Sequence, residues 1–106
     1  MSKGETSKMY KRRLKQQGGH CFICGESMVG GLVNRDHVIP KSKGGPNNWR
    51  NIALVHEACN LEKGSDLPEF EKLVTFIMMT SNVGKKTAVK RMKEKKYIIS
   101  NYGFAG

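Results

Sequence analysis

The chain has 106 residues and a formal net charge of +10, enough length for one compact domain whose small core should need added support such as a bound metal. The excess of Lys and Arg favours a polyanionic partner, first DNA or RNA, although a basic surface also serves solubility alone or contacts anionic lipid. No apolar run is long enough for a transmembrane helix, and no apolar stretch follows the basic N-terminus as in a secretory signal, so we expect a soluble protein.

The first predicted element is basic and polar. Residues 3–17 carry six Lys and Arg and few large apolar side chains, which fits either a short basic helix or a loose arm. Such charges more often form a solvated face than a DNA contact, and both interpretations stay open. Gly18 and Gly19 should end this element.

Two strands and a short helix are predicted next. Residues 30–40 suit a strand with a polar centre, and residues 49–55 have the β-branched and aromatic content of a second strand. The intervening loop 41–48, rich in Gly, Pro, Asn and Lys, would let the strands pair as an antiparallel hairpin. Residues 56–63 are typical of a short helix that ends at Gly64.

The C-terminal part is predicted to be helical. Asp66, Pro68 and Glu69 form a helix-start signature before an apolar stripe with helical spacing, which indicates a core face. The stripe consists of Phe70, Leu73, Val74, Ile77 and Met78. After a break at 82–84, residues 85–100 are expected to form one strongly basic helix with an apolar face made of Val89, Met92 and Ile99.

Two matched pairs of soft ligands indicate a metal site. Two residues separate Cys21 from Cys24, and after 31 further residues His56 and Cys59 repeat that separation. Three thiolates and one imidazole complete a zinc tetrahedron, so we predict structural rather than catalytic Zn²⁺. The alternative is a redox pair at Cys21 and Cys24 beside ordinary helix residues. An odd cysteine count with a metal site also indicates a reducing compartment, and thus an intracellular, cytoplasmic protein.

Packing does not explain four polar residues, Asp36, His37, Asn51 and Asn60. With the stretch DHVIPKSKGG and the second ligand pair, they make the chain resemble the HNH endonuclease family, in the version whose ββα-metal hairpin and helix carry a zinc knuckle. The resemblance covers residues 21–64. It implies an α+β fold, with a ββα-metal core and zinc knuckle flanked by basic α-helices, and cleavage of DNA. For Asp36 and His37 the alternative interpretation is a satisfied polar turn.

The resemblance also implies an organisation within a single domain. Residues 1–20 would be a basic N-terminal helix or arm, 21–64 the zinc-bound core, and 65–106 a helical extension packed on that core. Small free-standing members of the family look like phage, homing or restriction enzymes, which would place a phage-encoded chain in the host cytoplasm, with a phage or restriction protein as a possible partner. One active site cuts one strand, so a monomer should nick DNA and a homodimer could break both strands.

The catalytic roles follow in part from chemistry and in part from the resemblance. Histidine suits a general base near neutral pH, which nominates His37 to activate the attacking water. The resemblance implies that Asp36 and Asn60 hold one Mg²⁺ or Mn²⁺ ion and that Asn51 braces the loop carrying the base. Asn60 stands where many members have His, which should weaken the response to softer ions. As neighbours on an extended segment, Asp36 and His37 should point to opposite sides unless the backbone bulges.

Several basic residues near the motif are predicted to reach DNA phosphates. They are Arg35, Lys41, Lys43, Arg50 and Lys63. Singly, each is more often a plain surface charge, but together we expect at least one phosphate contact. Two other functions compete with the nuclease: a zinc-knuckle nucleic-acid-binding module that does not cut, against which the intact Asp36 and His37 argue, and a decoy or subunit whose basic helices recruit another enzyme.

Overall fold

The computed structural model describes residues 3–103, with side chains from Lys8 onward, and it has the predicted α+β fold. A two-stranded antiparallel sheet lies among helices. In chain order the elements are α1 (Lys3–Gln16), β1 (Val33–His37), β2 (Ile52–His56), α2 (Glu57–Lys63), α3 (Phe70–Ser81), α4 (Lys85–Met92) and α5 (Lys96–Tyr102), with single 3₁₀ turns at Lys41–Lys43 and Trp49–Asn51. No described helix has both the length and the apolar character needed to cross a lipid bilayer.

The predicted antiparallel hairpin is present, with Asp36 opposite Ala53 and His37 opposite Ile52. Its strands are shorter than predicted. Strand β1 covers only the polar centre of the expected strand 30–40. The chain leaves the two-stranded sheet after His37, and Val38 and Ile39 are buried in the core. The second strand begins late, since Trp49–Asn51 form a 3₁₀ turn that Asn48 caps through its side chain.

The N-terminal residues form a helix rather than a loose arm. Helix α1 packs against α3 and β2, and glycines with positive φ end it as predicted. Its Arg13 is only 4 % exposed and donates hydrogen bonds to the carbonyl oxygens of Trp49, at 2.9 Å, and Ile52. Burial, with the neighbouring Arg12, lowers the pKa of Arg13 to about 10, so the guanidinium stays charged at neutral pH. This charge therefore holds the helix on the sheet instead of facing solvent.

The C-terminal helices depart from two predictions. Helix α3 starts at Phe70 after a Glu69 N-cap that makes no side-chain hydrogen bond, so the expected start around Asp66 and Pro68 was wrong. The expected single helix 85–100 was also wrong, because the chain turns between α4 and α5. The turn lets Met92 and Ile98 both reach the core, whereas six residues apart on one continuous helix they would lie about 120° apart around its axis.

Two apolar clusters lie on opposite faces of the hairpin. The buried strand β2 contributes to both, with Ala53 in one cluster and Ile52, Leu54 and Val55 in the other. The first cluster joins the hairpin to α3, α4 and α5, and the second joins it to α1 and the cysteine-bearing loop. Phe22 packs against both. The hairpin is consequently covered on both faces and held rigidly at the centre of the chain.

Candidate active site and metal centre

The four predicted zinc ligands come together in one cluster. The ligand atoms of Cys21, Cys24, His56 and Cys59 all lie within 4.8 Å of one another. Nδ1 of His56 is 3.4 Å from the sulfur of Cys24 and 3.8 Å from that of Cys59. A tetrahedral Zn²⁺ with ordinary bond lengths would hold sulfur and nitrogen about 3.6 Å apart. Donor chemistry and spacing both fit zinc, and four ligands would leave no open position.

A carbonyl oxygen orients the histidine of this cluster. Nε2 of His56 donates to the carbonyl oxygen of Ser27 at 3.0 Å, which leaves the lone pair of Nδ1 facing the sulfurs. The turn that carries Ser27 is closed by backbone bonds from Cys21 N to Glu26 O and from Gly25 N to Cys21 O. Sequence reasoning missed Ser27 because its contact comes from the main chain and leaves no side-chain signal.

The thiols of the cluster have opposite pKa shifts. Burial opposes ionisation of Cys21, yet the backbone N–H groups of Cys24, His56 and Ile23 outweigh it and lower its pKa to about 6. Burial and the adjacent sulfurs raise the pKa of Cys59 to about 11. Three thiolates this close together would repel one another. A divalent cation bound between them would remove this repulsion.

Three of the predicted catalytic residues line one cleft of about 310 Å³. Asp36 and His37 reach it from β1, and Asn60 reaches it from α2. The strand pairing continues regularly through Asp36 and His37, and the two side chains differ in burial, with Asp36 5 % exposed and His37 half-buried. Both nevertheless border the same cleft, because it opens at the end of the strand.

The fourth predicted residue, Asn51, lies behind the cleft and braces its loop. Its Oδ1 accepts from Ile39 N at 2.9 Å, and its Nδ2 donates to the carbonyl oxygens of Ile39 and Pro46 at 2.9 and 3.0 Å. Gly45 is part of the same contact, since a Cβ there would overlap the Ile39 carbonyl oxygen and lie 2.8 Å from Asn51 Nδ2. One buried amide thus closes the loop that follows His37.

A residue outside the sequence prediction orients His37. Oδ1 of Asn47 lies 2.8 Å from Nε2 of His37. An amide oxygen only accepts, so Nε2 carries the proton and Nδ1 is the basic nitrogen. The side chain of the adjacent Asn48 instead accepts a hydrogen bond from Arg50 N. The three asparagines of this loop look alike in the sequence, and only their positions separate the roles.

Asp36 is held in a partly apolar environment next to a lysine. It also borders a smaller cleft whose walls include Phe22, Val38 and Leu67. Burial raises the pKa of Asp36, and Lys63 offsets the shift only in part. Nζ of Lys63 lies 3.2 Å from Asp36 Oδ1 and 3.1 Å from the His37 carbonyl oxygen. Lys63, predicted to reach a phosphate, therefore contacts strand β1 in this structure.

The other basic residues of the motif are divided between two places. Arg35 and Lys41 line the cleft with Asp36, and both are exposed. Arg50 lines a different cleft beside α1 and α4. The carbonyl oxygen of Lys43 accepts a 2.8 Å hydrogen bond from Asn101, which connects α5 to the loop that follows His37.

Comparison with known families gives one match to this region. The family model described as HNH endonuclease matches residues 21–66, a span that contains the four soft ligands and all four polar residues of the cleft and its loop. A search of curated proteins found no match to the chain.

Proposed function

Residues 21–66 belong to the HNH endonuclease family, and on that premise we propose that the chain is a metal-dependent endonuclease that hydrolyses DNA phosphodiester bonds. One observation carries the proposal: within the matched segment, a carboxylate, an imidazole and an amide oxygen border one open cleft. This set supplies the base and the hard oxygen ligands that phosphodiester hydrolysis requires. The net charge of +10 fits a polyanionic substrate.

His37 acts as the general base of the proposed reaction. Because Nε2 is bonded to Asn47, Nδ1 takes a proton from water as the water oxygen attacks phosphorus. The new P–O bond forms in line with the bond to the 3′ oxygen, which breaks. The leaving 3′ oxygen takes a proton from solvent, so that the products are a 5′ phosphate and a 3′ hydroxyl. Asn51 and Gly45 support this step by holding the loop next to the base.

Asp36 and Asn60 are the residues proposed to hold the catalytic ion. Carboxylate and amide oxygens suit Mg²⁺ or Mn²⁺, and neither side chain offers the nitrogen or sulfur that softer ions prefer. When bound, such an ion would neutralise charge on the phosphate and on the leaving 3′ oxygen. The ammonium of Lys63 already faces Asp36, which supports this carboxylate as a cation-binding group.

The cysteine and histidine cluster has a structural role in the proposal. Zn²⁺ bound there would join the loop of Cys21 and Cys24 to the end of β2 and the start of α2. That linkage fixes α2, and thus Asn60, relative to the hairpin. The three cysteines are free thiols in the structure, so the proposal includes a reducing, intracellular setting.

Supercoiled plasmid tests the function directly. Wild-type chain and His37→Ala are each incubated with Mg²⁺, with Mn²⁺ and with no added divalent ion, and the products are separated as nicked or linear DNA. We expect metal-dependent conversion by the wild type only, with nicked product from a monomer and linear product from a homodimer. His20→Ala is the matched control, because His20 is exposed, does not line the cleft and is not one of the four metal-ligand residues.

Two results would count against the proposal. Cleavage by His37→Ala at the wild-type rate would remove His37 as the base. No conversion by wild-type protein that binds the plasmid and contains zinc would leave a nucleic-acid-binding module in place of the nuclease.

A further inference from the structure

Another cleft is lined by cations and shares no lining residue with the catalytic cleft. It measures about 370 Å³ and takes its walls from α1, the 3₁₀ turn at Trp49–Asn51, α3, α4 and the start of α5. Its positively charged residues are Arg12, Arg13, Arg50, Arg91 and Lys95. Except for Arg50, all of them lie outside the segment that matches the HNH family.

No described carboxylate balances these charges. The wall contains no Asp or Glu, and the ion pairs in the described part of the chain involve Lys63 and Lys85 instead. Arg13 is buried and bonded to the sheet, but Arg12, Arg50, Arg91 and Lys95 are exposed. Four solvent-facing cations around one concave surface produce a focused positive potential, which attracts an anion more strongly than the same charges scattered over a convex surface.

The cleft also presents neutral donors to an anion. Gln16, Ser81 and Tyr97 contribute to its wall. Trp49 lines it as well, and its Nε1 is a buried donor with no hydrogen-bond partner among the described residues.

The cationic cleft adjoins the catalytic one. The guanidinium of Arg35, on the wall of the catalytic cleft, lies 5.3 Å from the ring of Trp49, on the wall of the cationic cleft. A second connection runs through α5. Tyr97 borders the cationic cleft, and its Cβ lies close to Gly44 in the loop that follows His37, 3.5 Å from where a Cβ on Gly44 would be. A ligand long enough to enter both clefts would therefore pass over Arg35 or the loop.

We infer that the cleft lined by Arg12, Arg50, Arg91 and Lys95 binds the phosphate backbone of duplex DNA next to the bond being cut. The inference rests on the proposed function and names the surface that holds the substrate. Duplex DNA fits better than single strands, because binding of single strands relies on exposed aromatic faces for base stacking, and Trp49 is only 5 % exposed. Each cation would neutralise a phosphate and release condensed counterions, giving affinity without sequence recognition.

Charge-neutralising variants test the inference by DNA binding. The cleft variant is Arg12→Gln/Arg91→Gln/Lys95→Gln. The control variant, Lys15→Gln/Lys86→Gln/Lys90→Gln, changes the net charge equally with exposed lysines of α1 and α4 that lie outside the cleft. Fluorescence anisotropy with a labelled duplex, without added divalent ion, gives the affinity of each protein as a function of salt concentration. Zinc content and Tm establish that each protein is folded.

We expect the cleft variant to bind about 100-fold more weakly than wild type at about 0.1 M salt, with a log–log salt slope flatter by about two to three. The control variant should lose much less. Equal losses for the two variants would mean a diffuse charge effect and would overturn the inference, as would tighter wild-type binding to a single strand or to duplex RNA of the same sequence.

These experiments distinguish a failure of the proposed cleavage activity from a failure of the proposed DNA-binding cleft. If wild-type protein binds duplex DNA through the cleft but does not cut plasmid with any ion, the cleft inference stands and the hydrolytic function falls. If the cleft variant binds duplex DNA like wild type while wild-type protein cuts plasmid, hydrolysis stands and the cleft inference falls.

Discussion

Lys63 Nζ lies 3.2 Å from Oδ1 of Asp36, so the carboxylate proposed to hold the catalytic ion already faces one positive charge of the chain. The pair is mostly buried, with side-chain exposures of 12 % for Lys63 and 6 % for Asp36. A divalent ion bound by Asp36 would compete with the Lys63 ammonium for the Asp36 carboxylate. The contact therefore bears on metal affinity as well as on stability.

Replacing the lysine should make the metal easier to bind. We predict that Lys63→Gln lowers the Mg²⁺ concentration for half-maximal plasmid cleavage by about fivefold, which corresponds to about 1 kcal/mol of lost competition. Lys41→Gln is the control, because Lys41 lines the cleft that Asp36 borders but forms no ion pair with Asp36. A Mg²⁺ titration that is the same for Lys63→Gln and wild type would contradict the competition.

The two adjacent asparagines of the catalytic loop should have separable effects. Asn47→Ala removes the partner of His37 Nε2, so we predict a 10- to 100-fold lower single-turnover cleavage rate, about the size seen when a group that orients a histidine is lost. Asn48→Ala removes only the cap on Arg50 N and should cost about 1 kcal/mol of stability with little change in rate. If the two variants have equal single-turnover rates, Asn47 does not orient the base.

The zinc cluster should determine whether the chain folds. We predict that Cys24→Ser and His56→Ala lose bound zinc and the cooperative thermal transition, because the binding energy of a structural zinc, about 10–16 kcal/mol, is comparable to or larger than the total stability of a small domain. His20→Ala should keep both, since His20 is outside the cluster. Elemental analysis and circular dichroism measure the two quantities. Normal Tm in zinc-free protein would refute the structural role.

Gly45 should not tolerate even a methyl group. In Gly45→Ala the added carbon would overlap the Ile39 carbonyl oxygen, so the loop braced by Asn51 must move. We expect a loss of about 3 kcal/mol in the free energy of unfolding and a lower cleavage rate even at temperatures where the variant is folded. Gly84→Ala meets no neighbour and is the control, with an expected change below about 1 kcal/mol from the poorer N-cap of α4. Denaturant unfolding of both variants checks the contrast, which a small effect at Gly45 would contradict.

The neighbouring arginines of α1 should separate stability from DNA binding. Arg13→Met leaves the Trp49 and Ile52 carbonyl oxygens without their donor, and we predict a loss of about 2–4 kcal/mol. Arg12→Met should change stability by less than about 0.5 kcal/mol, because Arg12 is exposed, but should weaken binding to duplex DNA. Urea unfolding and anisotropy measure the two effects. A destabilisation by Arg12→Met as large as that of Arg13→Met would contradict this division.

Much of the site was predictable because its residues lie close together along the chain. Cys21 with Cys24 and His56 with Cys59 have the separation that lets one turn present two ligands, so pairing the two turns gave the whole metal cluster. The hairpin was predictable for the same reason, because a short loop joins the two strands that pair. The ends of the strands and the break between α4 and α5 were not predictable from the sequence. They depend on the burial of Val38 and Ile98 in the core, which the local sequence pattern does not indicate.

The sequence by itself determined the chemistry of this protein: which side chains can bind metal, which can accept a proton and how much positive charge the chain carries. Only the tertiary structure decided which of several similar residues has which position. It bonds Asn47 rather than Asn48 to His37, buries Arg13 while leaving Arg12 exposed, and brings Arg12 and Arg91 to one cleft. The physical reason is that spacing along the chain encodes only contacts within one turn or hairpin. Contacts between α1, β2 and α4 depend on how whole elements pack, and no local period records that packing.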